Sequence, residues 1–193
     1  MKRTKARRII GIDPGLASTG WGIIEYSDGK IRYIDHGSIE TQAGHPRAGR
    51  LFVILEAVRQ VLDSYKPTEA AIETLYFGRN VSSAIPVAEA RGVVSATLAE
   101  RGLPVCEFTP NAIKQGVAGV SRADKPQVQQ MVRLILGLKE PPRPDHAADA
   151  LAAAICAANN FNIPAAGFEK NENDEKEKVK KIKFNPRTIN SRH

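Results

Sequence analysis

Aromatic residues make up only 6% of this 193-residue chain, and it carries two cysteines, two methionines and one tryptophan. Cys106 and Cys156 stand alone in apolar surroundings with no CxxC, which excludes a disulfide framework and a thiolate metal site. They read as reduced core thiols of a cytosolic protein. No apolar run approaches the roughly 20 residues that span a bilayer, and the basic stretch before Asp13 lacks the apolar segment of a secretory signal. The expectation is a soluble, cytoplasmic chain with no membrane partner. A GxxxxGK[ST] phosphate loop is missing, which argues against nucleotide binding. Persuasive Ser/His/Asp or Cys/His arrangements are missing too, so a protein nucleophile has no candidate.

What is present is charge and alternation. The net charge of +7 is concentrated at the ends: Lys2, Arg3, Lys5, Arg7 and Arg8 give +5, and residues 169–193 carry eight basic against five acidic side chains. The span between them is near neutral. Basic ends favour a polyanionic partner such as nucleic acid, and they also serve as solubilising tails. Residues 8–13 read as a strand. Two more, 20–26 and 30–39, flank Ser27-Asp28-Gly29, a strong hairpin signal. Apolar residues at three- and four-residue intervals predict helices over 46–65 and 126–138. A strand over 69–74, an Ala/Val-rich helix from about 83 to 101, a strand over 105–108 and a last helix over 145–160 complete the pattern. Residues 110–125 read as a mixed segment with short helix potential. This alternation predicts a single α/β domain with a five-stranded mixed sheet flanked by helices. The boundaries expected are a basic arm over 1–8, a folded domain over 9–162 and a charged tail over 163–193, too poor in apolar residues to pack.

Three acids stand where folding alone would not choose them. Asp13 ends the run Ile9-Ile10-Gly11-Ile12, Glu73 ends Ala70-Ala71-Ile72, and Asp149 lies in an alanine-rich helix. Burying carboxylates is strongly unfavourable unless they are paired or bind a cation, so the trio predicts a divalent-metal site and nuclease-type chemistry. The bland alternatives are a turn at Asp13-Pro14-Gly15, a water-facing strand end at Glu73, and dipole attraction at Asp149 worth about 0.3–1 kcal/mol. The last is too small to place an acid on a sheet-packing face. Asp145 and His146, four and three residues before Asp149, can each share its helical face. Spacing does not choose between them, and Asp145 also suits an N-cap.

Several local patterns occur together and in order: Ile-Gly-Ile-Asp-Pro-Gly-Leu followed by Thr-Gly-Trp-Gly, Ala-Ile-Glu73 before an aromatic loop and Asn80, and Ala-Arg-Gly at 90–92. Lys114-Gln115, Val117 to Gly119, Lys125 with Gln127-Val128-Gln129, and Asp-His-Ala-Ala-Asp-Ala-Leu at 145–151 follow. On these residues the chain resembles the RuvC family of Holliday junction resolvases over about positions 7–160. The resemblance implies a ribonuclease H-like fold and a homodimer. It further implies metal-dependent cutting of two like-polarity strands of four-way junction DNA, leaving 5′-phosphate and 3′-hydroxyl ends in recombination and repair. It implies two Mg²⁺ ions per site, with Mn²⁺ able to substitute, and the RuvA and RuvB branch-migration proteins as partners. It places catalysis and metal binding on Asp13, Glu73, His146 and Asp149, choosing His146 over Asp145. His146 departs from the members that have aspartate at that position, although a histidine version is also family-like; imidazole suits Mn²⁺ better than Mg²⁺, so His146 is expected to act through water or on the leaving oxygen. Tyr76, Phe77, Arg79 and Asn80 are the expected DNA-facing loop, Tyr76 aligning with the aromatic that opens the junction centre. Lys114, Arg122 and Lys125 match a phosphate-contacting region.

If Tyr76 stacks on an unpaired base, its ring matters and its hydroxyl does not. Stacking contributes about 1–3 kcal/mol per base. Tyr76→Phe is expected to resolve junctions near the parental rate and Tyr76→Ala to be severely slowed in a gel assay; a parental rate for the alanine variant would leave only a packing role.

Overall fold

The computed structural model describes residues 6–74 and 81–159, the side chains of 81–83 excepted. Within it, β1 (Arg7–Asp13), β2 (Ser18–Ser27) and β3 (Lys30–Glu40) form an antiparallel meander, turned at Asp28-Gly29 as the sequence predicts. The chain then crosses through α1 (Arg47–Tyr65) to β4 (Glu69–Glu73), and through α2 (Val81–Glu100) to β5 (Val105–Phe108). Both strands add parallel, giving the order β3-β2-β1-β4-β5. The mixed segment resolves into α3 (Pro110–Ala118), capped by the Thr109 side chain and closed by Gly119, and a turn to α4 (Lys125–Leu136). Asp124 and Gln127 form a reciprocal capping box that starts α4 one residue earlier than periodicity suggests. The last helix is α5 (Asp145–Asn159).

Strand alternation sorts the core into two layers. Ile9, Ile24 and Ala71 face α3, α4 and α5, whereas Ile10, Ile12, Ile23, Ala70 and Ile72 face α1 and α2. By this parity Asp13 belongs to the α5 side, along with Ile9 and Gly11. Helix α5 lies unusually close to that face. Of its residues, Ala147, Ala148 and every one from Ala150 to Ala158 are buried, and the alanine side chains leave its backbone near the sheet. The sheet makes room through glycine: a Cβ on Gly11 would sit 1.8 Å from the Ala150 carbonyl oxygen, and one on Gly20 2.0 Å from that of His146. Gly20 pairs directly with Asp13. The contact that seats α5 therefore also brings His146 beside Asp13.

Arg7 and Arg8, counted among the basic N-terminal charges, are strand residues. Arg7 forms a two-pronged pair with Glu69, at 2.7 and 2.9 Å, and Arg8 bonds Glu25 at 3.0 Å. Their charge is largely spent inside the fold. Cys106 and Cys156 are free thiols, half-buried and buried. Among the described residues no helix is long and apolar enough to cross a membrane.

A methyl at position 11 meets backbone that cannot rotate away, so Gly11→Ala is expected to destabilise by about 1–3 kcal/mol. Gly49→Ala is the control: its Cβ would meet nothing within 4 Å on an exposed helix. It should be neutral or stabilising by up to about 1 kcal/mol. Denaturant midpoints of the two variants check this; equal shifts would contradict the close seating of α5.

Candidate active site

The carboxylates gather at the C-terminal ends of adjacent parallel strands, where the chain leaves the sheet. Ile12 and Ile72 are in register, and the next residues are Asp13 and Glu73. From the α5 side, His146 Nδ1 lies 2.7 Å from Asp13 Oδ2. Asp13, His146 and Asp149 each present a ligand atom, all within 4.8 Å of one another, close enough to share one cation. Two carboxylates and an imidazole make a donor set that fits a hard or borderline divalent ion. Glu73 stands outside that trio but beside it. It lines a cleft of about 280 Å³ with Asp13, Pro14, Thr74, Val87, Arg91 and Pro110.

The electrostatics show what this gathering costs. Burial, then the charges of Asp13 and Asp149, push the Glu73 carboxyl from its usual 4.5 to about 7, against the pull of Lys114 and Lys125. Burial also raises the Asp149 carboxyl, outweighing its partner Lys125. His146 moves upward because Asp13 accepts its hydrogen bond, an effect larger than the opposing burial. Perturbed groups gathered at one edge of the sheet, beside a cleft, make this a candidate functional site.

Lys125 is exposed, as a phosphate contact would be, but it is ion-paired with the acids of α5. Its Nζ lies 3.0 Å from Asp149 Oδ2 and 3.4 Å from Asp145 Oδ2, at the junction of the α4 and α5 N-termini. Burial would lower its pKa, but the Asp149 hydrogen bond and the charges of both aspartates raise it overall. Asp145 is the first residue of α5; its carboxylate turns to Lys125 and Arg143, while Pro144 O receives the amides of Ala147 and Ala148. The structure thus separates the alternatives that spacing left open: His146, not Asp145, meets Asp13. Lys114 is half-buried and acts on Glu73, and Arg122 is exposed in the turn between α3 and α4. Tyr76, Phe77, Arg79 and Asn80 lie outside the described residues, as does the tail.

Two neighbours carry no role in the sequence reading. Glu40, the last residue of β3, is held low first by Ser38, then by Ser18 at 2.8 Å, and also feels His146. Arg91 reaches from α2 to the Glu73 backbone and to Glu107. The signal for Arg91 was present: a charge next to Ala90 and three residues before Val94, both fully buried, within the Ala-Arg-Gly pattern at 90–92. Glu40 offered none, being one more acid at a strand end.

A five-stranded mixed sheet with antiparallel β1–β3, parallel β4 and β5, helices on both faces, and acids at the ends of β1, β4 and the start of α5 defines a ribonuclease H-like nuclease. The family model described as crossover junction endodeoxyribonuclease RuvC matches residues 9–157. Curated relatives of that name from Treponema denticola and Chloroflexus aurantiacus are 54% and 52% identical over 151 residues, covering 78% of this chain and 85% and 92% of theirs. The Thermus thermophilus RuvC solved in complex with a Holliday junction substrate superimposes with a TM-score of 0.75 at 38% identity, over 79% of this chain and 93% of that one. The chain belongs to the RuvC family of crossover junction endodeoxyribonucleases.

Protonation at the cluster must compete with cation binding. In the cation-free protein Glu73 binds its proton more tightly folded than unfolded, so its contribution to stability falls as pH rises from 4.5 to about 7. The raised His146 contributes stability that is complete below 6.5 and lost as pH rises through its folded value. Binding a cation on these groups expels those protons. Calorimetric titration of Mn²⁺ near pH 7, in buffers of different ionisation enthalpy, should show net release of about one proton per site and an affinity that rises with pH. Glu73→Gln should reduce the release, and an unchanged value would show that Glu73 does not sense the ion.

Proposed function

We propose that this chain resolves four-way DNA junctions by paired, symmetric nicks, using Asp13, Glu73 and Asp149, with His146, to hold divalent cations. The observation that carries the reading is the Asp13, His146 and Asp149 cluster, with Glu73 facing the same edge across the cleft. Mg²⁺, or Mn²⁺ in its place, when bound supplies charge for the developing phosphorane oxygens and a lowered pKa for the attacking water. The side chains do the rest. Asp13, central between His146 and Glu73, is the shared donor. Glu73 and Asp149 complete the anionic cradle, and His146 sits on the α5 side, able to exchange a proton with the leaving 3′-oxygen. Lys114, beside Glu73, and Arg122, in the turn before α4, suit phosphates of a strand entering the site, as would Lys125 at the start of α4. Tyr76, Phe77, Arg79 and Asn80 are the further DNA contacts of this reading, carried by the family resemblance. The products carry 5′-phosphate and 3′-hydroxyl ends.

Two opposed cuts in one junction require two sites, which supports a homodimer. Exposed Phe52, Val53 and Ile85 on the paired helices α1 and α2 supply apolar surface for it. The same reading places the chain in the cytoplasm with RuvA and RuvB. It gives Lys2, Arg3 and Lys5 of the basic arm 1–8, and the tail 163–193, a role in retaining DNA around the domain 9–162.

Asp13→Asn, Glu73→Gln and Asp149→Asn keep side-chain size but remove the charge that holds an ion. Each should slow cutting of a four-way junction by more than the roughly 10- to 100-fold that loss of an outer partner costs, while junction affinity in EDTA stays near parental. A gel comparing a junction, a linear duplex and an RNA–DNA hybrid, each with Mg²⁺, Mn²⁺ or EDTA, reads both outcomes. Preferential cutting of the hybrid would instead make the protein an RNA-directed nuclease.

A further inference from the structure

The Glu73 carbonyl lacks a strand partner for a reason written in the sequence. Amides of even-numbered β4 residues point to β5: Ala70 N–H donates to Pro104 O at 2.9 Å and Thr74 N–H to Phe108 O at 2.7 Å. Backbone groups alternate sides along a strand, so the N–H and C=O of Glu73 point to β1. With Ile12 opposite Ile72, the β1 residue due to donate next, to Glu73 O, is Pro14, which has no N–H. A half-buried carbonyl at the site's edge is thereby orphaned, and such groups are nearly always satisfied by another donor. Arg91 supplies it. Its Nη1 donates to Glu73 O, and its Nη2 is ion-paired with Glu107 Oε2 of β5 at 2.7 Å. The guanidinium is largely buried, its side chain 16% exposed, whereas Glu107 is 51% exposed.

We propose that Arg91 is a positioning residue for the cutting reaction: it replaces the hydrogen bond that Pro14 cannot make and so fixes the Glu73 carboxylate against Asp13. The peptide after Glu73 is held at both ends, its carbonyl by Arg91 and its N–H, on Thr74, by Phe108 O. That fixes the direction in which the Glu73 side chain leaves the backbone, one residue before the last described residue of this stretch, Thr74. Arg91 stands on α2, the next element after β4, so one guanidinium ties the end of β4 to that helix. Glu107 neutralises its charge and holds the planar fork in the plane that both contacts need.

This inference rests on Glu73 serving the cutting site, and the test separates the two. Arg91→Gln should cut junctions about 10- to 100-fold more slowly at saturating Mn²⁺, as expected for loss of a group that orients a metal-site residue. Its Mn²⁺ affinity, measured by calorimetry without DNA, should fall by about 10-fold. Junction affinity in EDTA should not change. The decisive readout is rescue: Pro14→Ala restores a backbone donor opposite Glu73 O, so the Arg91→Gln/Pro14→Ala double variant should cut faster and bind Mn²⁺ more tightly than Arg91→Gln alone. Arg91→Lys, which keeps charge but cannot bridge both partners, should fall between the parent and Arg91→Gln, and it takes over the test if Arg91→Gln gives no cooperative thermal transition. Parental cutting by Glu73→Gln would sink the assignment of the site itself. Loss of cutting in Glu73→Gln, combined with parental rate and Mn²⁺ affinity in the Arg91 variants, would leave the site standing and overturn the role of Arg91, as would a double variant no better than Arg91→Gln.

Discussion

Everything at the site depends on how closely α5 can lie on β1 and β2. An alanine-rich helix over two paired strands, with glycine at position 11 of β1 and 20 of β2, brings backbone against backbone, and the first turns of that helix then arrive at the Asp13 end of the sheet. Had either glycine carried a side chain, the helix would stand off and His146 and Asp149 would no longer reach Asp13. The apolar core and the polar site are thus set by one contact. Because interiors are close-packed and transmit strain, a small change in the seat becomes a displacement at the carboxylates.

That proximity carries an electrostatic penalty which the fold only partly offsets. Three carboxylates and an imidazole share an edge where burial disfavours charge, and the described cations answer unevenly. Lys125 neutralises Asp149 directly, Lys114 acts on Glu73 at longer range, and Glu73 stays protonated up to about pH 7. A site strained in this way is poised to accept positive charge, and the stabilisation a cation brings is the relief of that repulsion. Arg91, nearer to Glu73 in space, is committed to the backbone and to Glu107 rather than to the carboxylates.

The strands, the hairpin turn and the two-layer sheet were legible because each rests on local period and turn chemistry. The acids stood out for the same reason, as charges interrupting apolar runs. The short helix α3 was legible only as short helix potential in a mixed segment with two glycines; Gly116 packs against Cys156 and Gly119 closes the helix in a left-handed conformation. The choice of His146 over Asp145 needed either the family resemblance or the fold, since each can share a helical face with Asp149 and only the position of Gly20 beneath His146 decides which meets Asp13. The pairing of Lys125 with Asp149 and the bond from Arg91 to the Glu73 carbonyl join residues 24 and 18 positions apart on different elements. No local pattern encodes them. The proline that makes Arg91 necessary is visible in the sequence, but its consequence appears only once strand register is known.

The central claim is that Asp13, Glu73, Asp149 and His146 form one cation site at the edge of the sheet. Anomalous diffraction from crystals soaked in Mn²⁺ tests it most directly. The account predicts a peak between the Asp13 and Asp149 carboxylates, with Lys125 withdrawn from Asp149 and Glu73 turned toward the ion. A cluster without a peak at saturating Mn²⁺, with the Lys125–Asp149 pair intact, would contradict it.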